Sequence, residues 1–468
     1  MDTTGPLAWT RRDVLRTLGA ATGLPALGLG AATRRRVGII GGGMAGVALA
    51  WMLDGERDVV LLEARDSIGG NVQSVPVDLD GQSFFVDLGA QYFHPGPYPL
   101  YTSLLTGLGL YPPGGADAGG AHAFPASITL AANTEPALRF VSPVLPERWW
   151  PLFAAFNTPG VLAFATAFAA AKRREEENAS WALTLGEWLP TLGLTPAQWE
   201  GMLLPWAASL FSGDINQARG FSARAAMIFA AKAVPANPLD PTNYYVLKHG
   251  MAQVLQRLID DTTTVGVLTN APVLFVSRTL SGQFRILCLD GRTFFVDDLV
   301  LASSGPGSLA LLAGLQGTEL QRAALSGIEF HDARLALHLD PAYAAPDSRL
   351  WSFLNCQIEG SFCEASMWMA SVLPEPPPAT AAKIWKSWIT HRSHQPALVL
   401  REAAFKHLLP TPASIFAQTL LRGLQGRGGI WFAGGYTFPY DSQETALVSA
   451  LQVAIGLQVS SARVRTLA

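Results

Sequence analysis

Three glycines and one acid carry the clearest chemistry in this chain. Gly41, Gly43 and Gly46 read G-x-G-x-x-G, and Glu63 stands twenty residues beyond Gly43. Gly41 permits a tight turn, Gly43 lets a pyrophosphate reach the backbone, and Gly46 lets a helix lie close on a strand. A helix opening at Met44-Ala45 would present free N–H groups and a positive dipole end to phosphates. Glu63 can accept hydrogen bonds from a ribose diol. These residue types at these intervals describe a dinucleotide site. A glycine-rich turn alone is weak evidence. Here Val37-Gly38-Ile39-Ile40 supplies the preceding strand, and Val59-Val60-Leu61-Leu62 the strand that delivers the acid.

Two further stretches extend the site. Ala64-Arg65-Asp66-Ser67-Ile68-Gly69-Gly70-Asn71 follows Glu63, and Val86-Asp87-Leu88-Gly89-Ala90-Gln91-Tyr92-Phe93-His94 comes after it. With them the chain resembles the flavin-containing amine oxidase superfamily. That group includes monoamine and polyamine oxidases, L-amino acid oxidases, protoporphyrinogen oxidase and phytoene desaturases. The resemblance implies FAD rather than NAD. It sets Glu63, Ala64, Arg65, Gly69, Gly70 and Asn71 along the cofactor, and Gly89, Ala90, Gln91 and Tyr92 under the flavin.

Later segments resemble the family in the same order. Lys248-His249-Gly250-Met251 matches its Gly-Gly-Met segment before a helix, and Val273 the valine whose backbone meets the adenine. Gly434-Gly435, then Glu444-Thr445-Ala446, match the C-terminal flavin segment, where a second helix N-terminus faces the pyrophosphate or a flavin carbonyl. The colinear matches run from residue 36 to 456. No cysteine lies in the C-terminal segment, so the FAD is expected to be non-covalent.

Flavin chemistry asks little of side chains, because the cofactor accepts the hydride and the protein orients the donor. In the amine oxidases a lysine often holds a water near flavin N5. By spacing, the matching strand is Asp332–His338, where Arg334 is the nearest equivalent and no lysine occurs. The family's cage tyrosine falls on Ser442, with Tyr436 close by. Arg334, His338 and Tyr436 are therefore the candidate catalytic residues. Arg334 suits either a bidentate carboxylate contact or a structural ion pair. His338 suits either catalysis or a histidine satisfied by the neighbouring strand, and Tyr436 either catalysis or flavin packing. His338-Leu339-Asp340 and Trp351-Ser352-Phe353-Leu354-Asn355 resemble a branch of FAD-binding oxidoreductases, some linked to unsaturated or cyclopropane fatty acids.

The elements that position these residues imply an α/β chain with a two-domain FAD-dependent amine-oxidase-like fold. A Rossmann-type FAD domain spans 34–100, 240–310 and 400–468, with an inserted α+β substrate domain over 101–239 and 311–399. Strands are expected at Thr264–Leu268, Val273–Ser277, Phe284–Leu289 and Phe294–Leu301, with a hairpin turn at Leu289-Asp290-Gly291-Arg292. Residues 101–235 read as mostly helical and 325–395 as strands. Pro374–Pro378 reads as an extended loop. Gly160–Ala171 is apolar but for Thr166. It is too short to span a bilayer and reads as a buried helix, with a shallow peripheral membrane contact left open.

A chain of 468 residues exceeds one simple core, and 49% hydrophobic against 15% charged residues argues against disorder. A net charge of −3 gives no electrostatic case for nucleic acid. Cys288, Cys356 and Cys363 form no disulfide framework and read as buried thiols, with a Cys356–Cys363 pair as the alternative, and no residue cluster has metal-ligand spacing. At the start, Arg11-Arg12 and a Gly/Ala/Leu-rich stretch to Ala32 resemble a twin-arginine signal over residues 1–33. The protein would then be exported folded by the twin-arginine machinery, to be periplasmic or secreted in a bacterium.

The functional expectation is an FAD-dependent oxidoreductase. It takes a hydride from a small, largely apolar amine or amino acid and returns electrons to oxygen or another acceptor. Desaturation, isomerisation or oxidation at C–C bonds of a lipid or isoprenoid is the alternative. A non-catalytic flavin-binding subunit, as a homo-oligomer or beside a partner, is the reading of another class.

Overall fold

The computed structural model describes residues 34–112, 120–135, 137–144, 147–235, 242–343, 345–373 and 383–467. The twin-arginine leader and the Pro374–Pro378 run lie outside the described residues. The chain forms two compact units, with boundaries after Val72, Met251, Ile328 and Phe416. The expected boundaries fell instead at 100, 240, 310 and 400. Tertiary contacts explain the differences at the first and last boundaries. The hairpin Ser74–Asp87 is tied to Met251 and Lys386 through Asp87, and Val399–Leu408 pairs with Phe330–His338, which carries both segments into the second unit.

The first unit is built on a five-stranded parallel sheet. Its order is Ile430–Phe432, Asp298–Leu301, Arg36–Ile40, Asp58–Leu62, Gly266–Leu268. A parallel sheet is covered on both faces, so its strands are apolar throughout rather than alternating. Arg36–Ile40 obeys this, with four of its five residues buried. The chain leaves this central strand for a neighbour on one side, and the strand on its other side comes from much later. The strand order therefore reverses where Gly41 begins, which is where open α/β sheets bind ligands. Helix Met44–Leu53 follows and is buried on all sides.

Sequence reading merged two strands here. Phe294–Leu301 splits into Thr293–Val296, in a three-stranded antiparallel sheet with Phe284–Cys288 and Val273–Arg278, and Asp298–Leu301, in the parallel sheet. The antiparallel sheet packs over Gly38, where an added Cβ would lie 2.7 Å from Ile286 Cδ1.

The second unit holds a seven-stranded sheet. Its order is Val399–Leu408, Phe330–His338, Trp385–Trp388, Phe362–Trp368, Leu354–Glu359, Ile128–Ala132, Leu138–Val141. All its pairs are antiparallel except Leu354–Glu359 with Ile128–Ala132. The last two strands, and Ala121–Pro125 beside Asn243–Leu247, are additions to 101–235, whose other elements are helical as expected. They are short, and two of the pairings reach far along the chain, Ile128–Ala132 to Leu354–Glu359 and Ala121–Pro125 to Asn243–Leu247, so no local period announces them. Residues opposite one another share a face. Leu335, Leu337, Ala365, Met367, Leu354 and Cys356 face the apolar core, which also takes in Ala163, Phe164 and Ala167 of helix Thr158–Glu176. The three cysteines are free and buried.

Candidate functional site

In the first unit the glycine turn has the tight geometry its spacing demands. Gly41 has φ +117, and a Cβ there would sit 2.5 Å from Ala302 O. A Cβ on Gly46 would come within 2.0 Å of Gly41 O, so helix and turn touch backbone to backbone. Gly43 differs. An added Cβ would meet nothing nearer than Gly70 Cα at 3.6 Å, which leaves room beside the helix N-terminus for a phosphate. Gly43 is the N-cap of helix Met44–Leu53, and no side chain caps it, so the first-turn N–H groups of Met44, Ala45 and Gly46 lack an intrahelical partner.

Glu63 is buried at the end of its strand. Its Oε2 accepts from Gly42 N at 2.7 Å and its Oε1 from Arg65 N at 2.9 Å. A carboxylate offers about four acceptor positions, so capacity remains for a diol. The loop from Ala64 to Asn71 folds back on the turn. Gly69 N donates to Gly42 O at 2.8 Å, and Arg65 Nη2 to Gly70 O at 2.9 Å. Ala271 N donates to Glu63 O at 2.8 Å, which brings the start of the Val273 strand beside the acid. Gly434 follows strand Ile430–Phe432 with φ +154, and its N–H donates to Ser449 Oγ at 2.8 Å. Helix Gln443–Gly456, which carries Glu444, Thr445 and Ala446, opens beyond Gly435.

Ser442 stands where the family's cage tyrosine was expected. It caps that helix, its Oγ accepting from Thr445 N at 3.1 Å while Thr445 Oγ1 accepts from Ser442 N at 3.0 Å. Tyr436 is buried, with its hydroxyl 3.3 Å from Ser308 Oγ and 3.4 Å from Leu301 O.

The second unit holds a cluster that sequence reading missed. Lys386, on strand Trp385–Trp388, lies opposite Leu337 and Met367 and so faces the apolar core. It is 2% exposed, and its Nζ donates to the main-chain O of Asp87 at 2.8 Å. The Asp87 carboxylate accepts from Met251 N at 2.9 Å and from Ser74 Oγ. The Gly250-Met251 segment thereby holds the Asp87 end of the flavin-like stretch. Burial pushes the Lys386 ammonium down and the Asp87 carboxyl up, each toward its neutral form, and their mutual attraction opposes both shifts.

Beyond Asp87, Gly89 and Ala90 lead into Gln91 and Tyr92. Tyr92 meets Tyr244, Phe353 and Phe124 edge-on, at 5.2, 5.4 and 6.3 Å between ring centres. Gln91 Oε1 is buried with no hydrogen-bond partner among the described residues. The resemblance points to Asp332–His338 for the family's lysine; the buried lysine of this unit comes from the adjacent strand. The available signal was a charged residue inside the apolar run Ile384-Trp385-Lys386-Ser387-Trp388-Ile389.

The structure does not gather Arg334 and His338 around this lysine. The Arg334 side chain is half exposed and pairs with Glu402 at 3.2 Å. His338 is fully buried on the opposite face of the sheet. Its Nδ1 accepts from Asp340 N at 3.2 Å, so the ring proton sits on Nε2 and points at Ser387 Oγ, 2.9 Å away. Ser387 in turn donates to Ser366 Oγ at 2.7 Å. A histidine donating to a serine cannot take that serine's proton, so this chain of groups makes no activated nucleophile. Burial lowers the imidazole pKa to about 4.

Residues 44–329 match the flavin containing amine oxidoreductase family. The chain belongs to that family. As a flavin containing amine oxidoreductase it is an FAD-dependent oxidoreductase, and the cradle of Gly41, Gly43 and Glu63 suits the dinucleotide. No curated protein matches the sequence. Solved structures of several amine-oxidase-fold proteins are similar over nearly the whole chain. A protein of Exiguobacterium sp. 255-15, provisionally assigned as a protoporphyrinogen oxidase, aligns at 14% identity and a TM-score of 0.60, covering 93% of this chain and 100% of that one. Putrescine oxidase bound to putrescine aligns at 16% and 0.60, covering 91% and 99%. A CLA-producing fatty acid isomerase from P. acnes aligns at 14% and 0.59, covering 90% and 98%. At these identities the likeness speaks for the fold.

Proposed function

We propose that this amine oxidoreductase holds FAD non-covalently and oxidises a small, largely apolar donor, an amine or amino acid in the first instance, with oxygen or another acceptor taking the electrons. Met44, Ala45 and Gly46, with Glu444, Thr445 and Ala446 on the second helix, serve the pyrophosphate. Glu63 serves the ribose, Ala64, Arg65, Gly69, Gly70 and Asn71 line the cofactor, and Val273 meets the adenine. Gly434 and Gly435 join the flavin end, and the family likeness assigns Gly89, Ala90, Gln91 and Tyr92 to the ring. Bound FAD supplies the hydride acceptor.

The observation that carries the reading is Lys386, a buried amine pushed toward neutrality and fixed on the carbonyl of Asp87. Such a group takes a proton or holds a water where a charged lysine would not. A leader of twin-arginine type supports a periplasmic or secreted holoenzyme, folded before export.

A second reading, chemistry at C–C bonds of a lipid or isoprenoid, draws on the buried carboxylates of the second unit. Asp87 is engaged as described, Asp340 by His394 and backbone N–H groups, and Glu364 by the N–H groups of Thr390 and His391.

The test begins with the visible spectrum of the purified protein before and after acid precipitation. Flavin bands that move to the supernatant support non-covalent FAD. Anaerobic bleaching by amines, and not by unsaturated fatty acids, supports the first reading; the reverse pattern selects the second. Lys386→Met should keep the flavin and lower kcat roughly a hundredfold or more. An unchanged kcat would remove Lys386 from the chemistry.

A further inference from the structure

From Trp149 to Ala171 the chain contains no charged residue. Part of this run is core, but much of it faces outward. Phe153 is 76% exposed and Leu162 58%, and Trp149, Trp150 and Phe156 are each exposed by more than two fifths. Trp149 and Phe153 lie parallel, 6.4 Å apart, and Trp150 and Phe156 are neighbours at the same distance. Helix Thr158–Glu176 continues the surface. It buries Gly160, Ala163, Phe164, Ala167 and Ala170, and on the other side it exposes Thr158, Leu162, Ala165 and Ala169. A helix face turned to water normally carries charge. This one carries none until Lys172. The expected buried helix is thus buried on one side only.

Charged residues bracket the apolar run. Glu147 and Arg148 precede it, the Arg148 guanidinium turned inward onto Ser142 O and Trp351 O, and Lys172-Arg173-Arg174 ends it, ahead of Glu175-Glu176-Glu177. The exposed Arg349 guanidinium sits 6.0 Å from the centre of the Trp150 ring. Of the neighbouring acids, Asp347 is held by Arg349 and Glu175 by Arg224 and Lys232, while Glu147, Glu176 and Glu177 are exposed. No described helix is long and apolar enough to cross a membrane. Tryptophan and phenylalanine on a short amphipathic surface with basic ends match the boundary between headgroups and acyl chains.

We propose that the surface formed by Trp149, Trp150, Phe153, Phe156 and Leu162 seats the protein in the interface of an anionic lipid bilayer, with Arg173 and Arg349 over the lipid phosphates. The Trp and Phe rings enter the acyl boundary, and the rest of the helix lies along the membrane plane.

The experiment uses the full-length flavoprotein and extruded vesicles of phosphatidylglycerol and phosphatidylethanolamine, with phosphatidylcholine vesicles for comparison. The parent should sediment with the anionic vesicles, more weakly with phosphatidylcholine, and its tryptophan emission should be quenched by brominated acyl chains. Phe153→Ser combined with Leu162→Ser should cut partitioning at least about tenfold while flavin content and melting stay at parental values. Leu280→Ser, at an exposed position on the first unit, should change nothing. Absence of both sedimentation and quenching for the parent would overturn the proposal without recourse to any variant. So would a double variant that folds and binds vesicles like the parent. A parental dimer that ignores vesicles and becomes monomeric in the double variant would assign the surface to a second copy instead.

Discussion

His338 shows how a single residue's neighbours settle its chemistry. With both ring nitrogens engaged and no exposure to solvent, it is held neutral, and burial is the leading cause of its lowered pKa of about 4. The sign follows from proton counting. Between the ordinary imidazole value near 6.5 and about 4, the unfolded chain binds a proton that the folded chain refuses. Stability is therefore present at neutral pH and is lost as pH falls through that window. At pH 5 the loss from this one group is about 2 kcal/mol. The midpoint of denaturant unfolding should drop between pH 7 and pH 5, and His338→Asn should show a shallower drop while being less stable at pH 7. A pH slope identical to the parent's would mean that other groups carry it. Arg334, by contrast, makes an exposed pair with Glu402, and Arg334→Ala should move stability by less than about 1 kcal/mol.

At the scale of elements, the glycine turn and the two helices that open near it make separable demands. Gly46 is required by packing, since any Cβ there meets Gly41 O. Gly43 is not, because its φ of −80 suits any residue and its surroundings leave space for a Cβ. Gly43→Ala should thus melt like the parent without cofactor and bind FAD at least about tenfold more weakly, whereas Gly46→Ala should lose both stability and FAD. Titration of apo protein with FAD, alongside calorimetry, separates the two. Equal FAD affinity in Gly43→Ala and parent would remove the phosphate from that spot. Ser442→Ala should cost about 1 kcal/mol through the lost helix cap. It tests the view that Ser442 is retained for the helix in place of a cage tyrosine.

For the molecule as a whole, the cofactor is also a source of stability. Ligand bound only by the folded state at a hundred times its dissociation constant adds about 2.7 kcal/mol. Added FAD should raise the melting temperature of the apo protein by a few degrees, and Gly43→Ala should abolish most of that gain. A melting temperature indifferent to FAD in the parent would contradict the assigned cradle.

The sequence by itself determined what depends on neighbours along the chain. The strand, glycine turn, helix and acid from Arg36 to Glu63 are local, with patterns no other fold element explains, and they were legible before any coordinates. So was the α/β class. Only the tertiary structure decided what depends on residues distant in sequence. Lys386 meets Asp87 across about three hundred positions, and no spacing rule reaches that far. The short strand Ile128–Ala132 lies along Leu354–Glu359, more than two hundred residues further on. Ser442 looked like a missing aromatic until its helix showed it as a cap. Gly160–Ala171 reads as a buried helix because composition reports hydrophobicity without reporting which face of a helix the fold leaves uncovered.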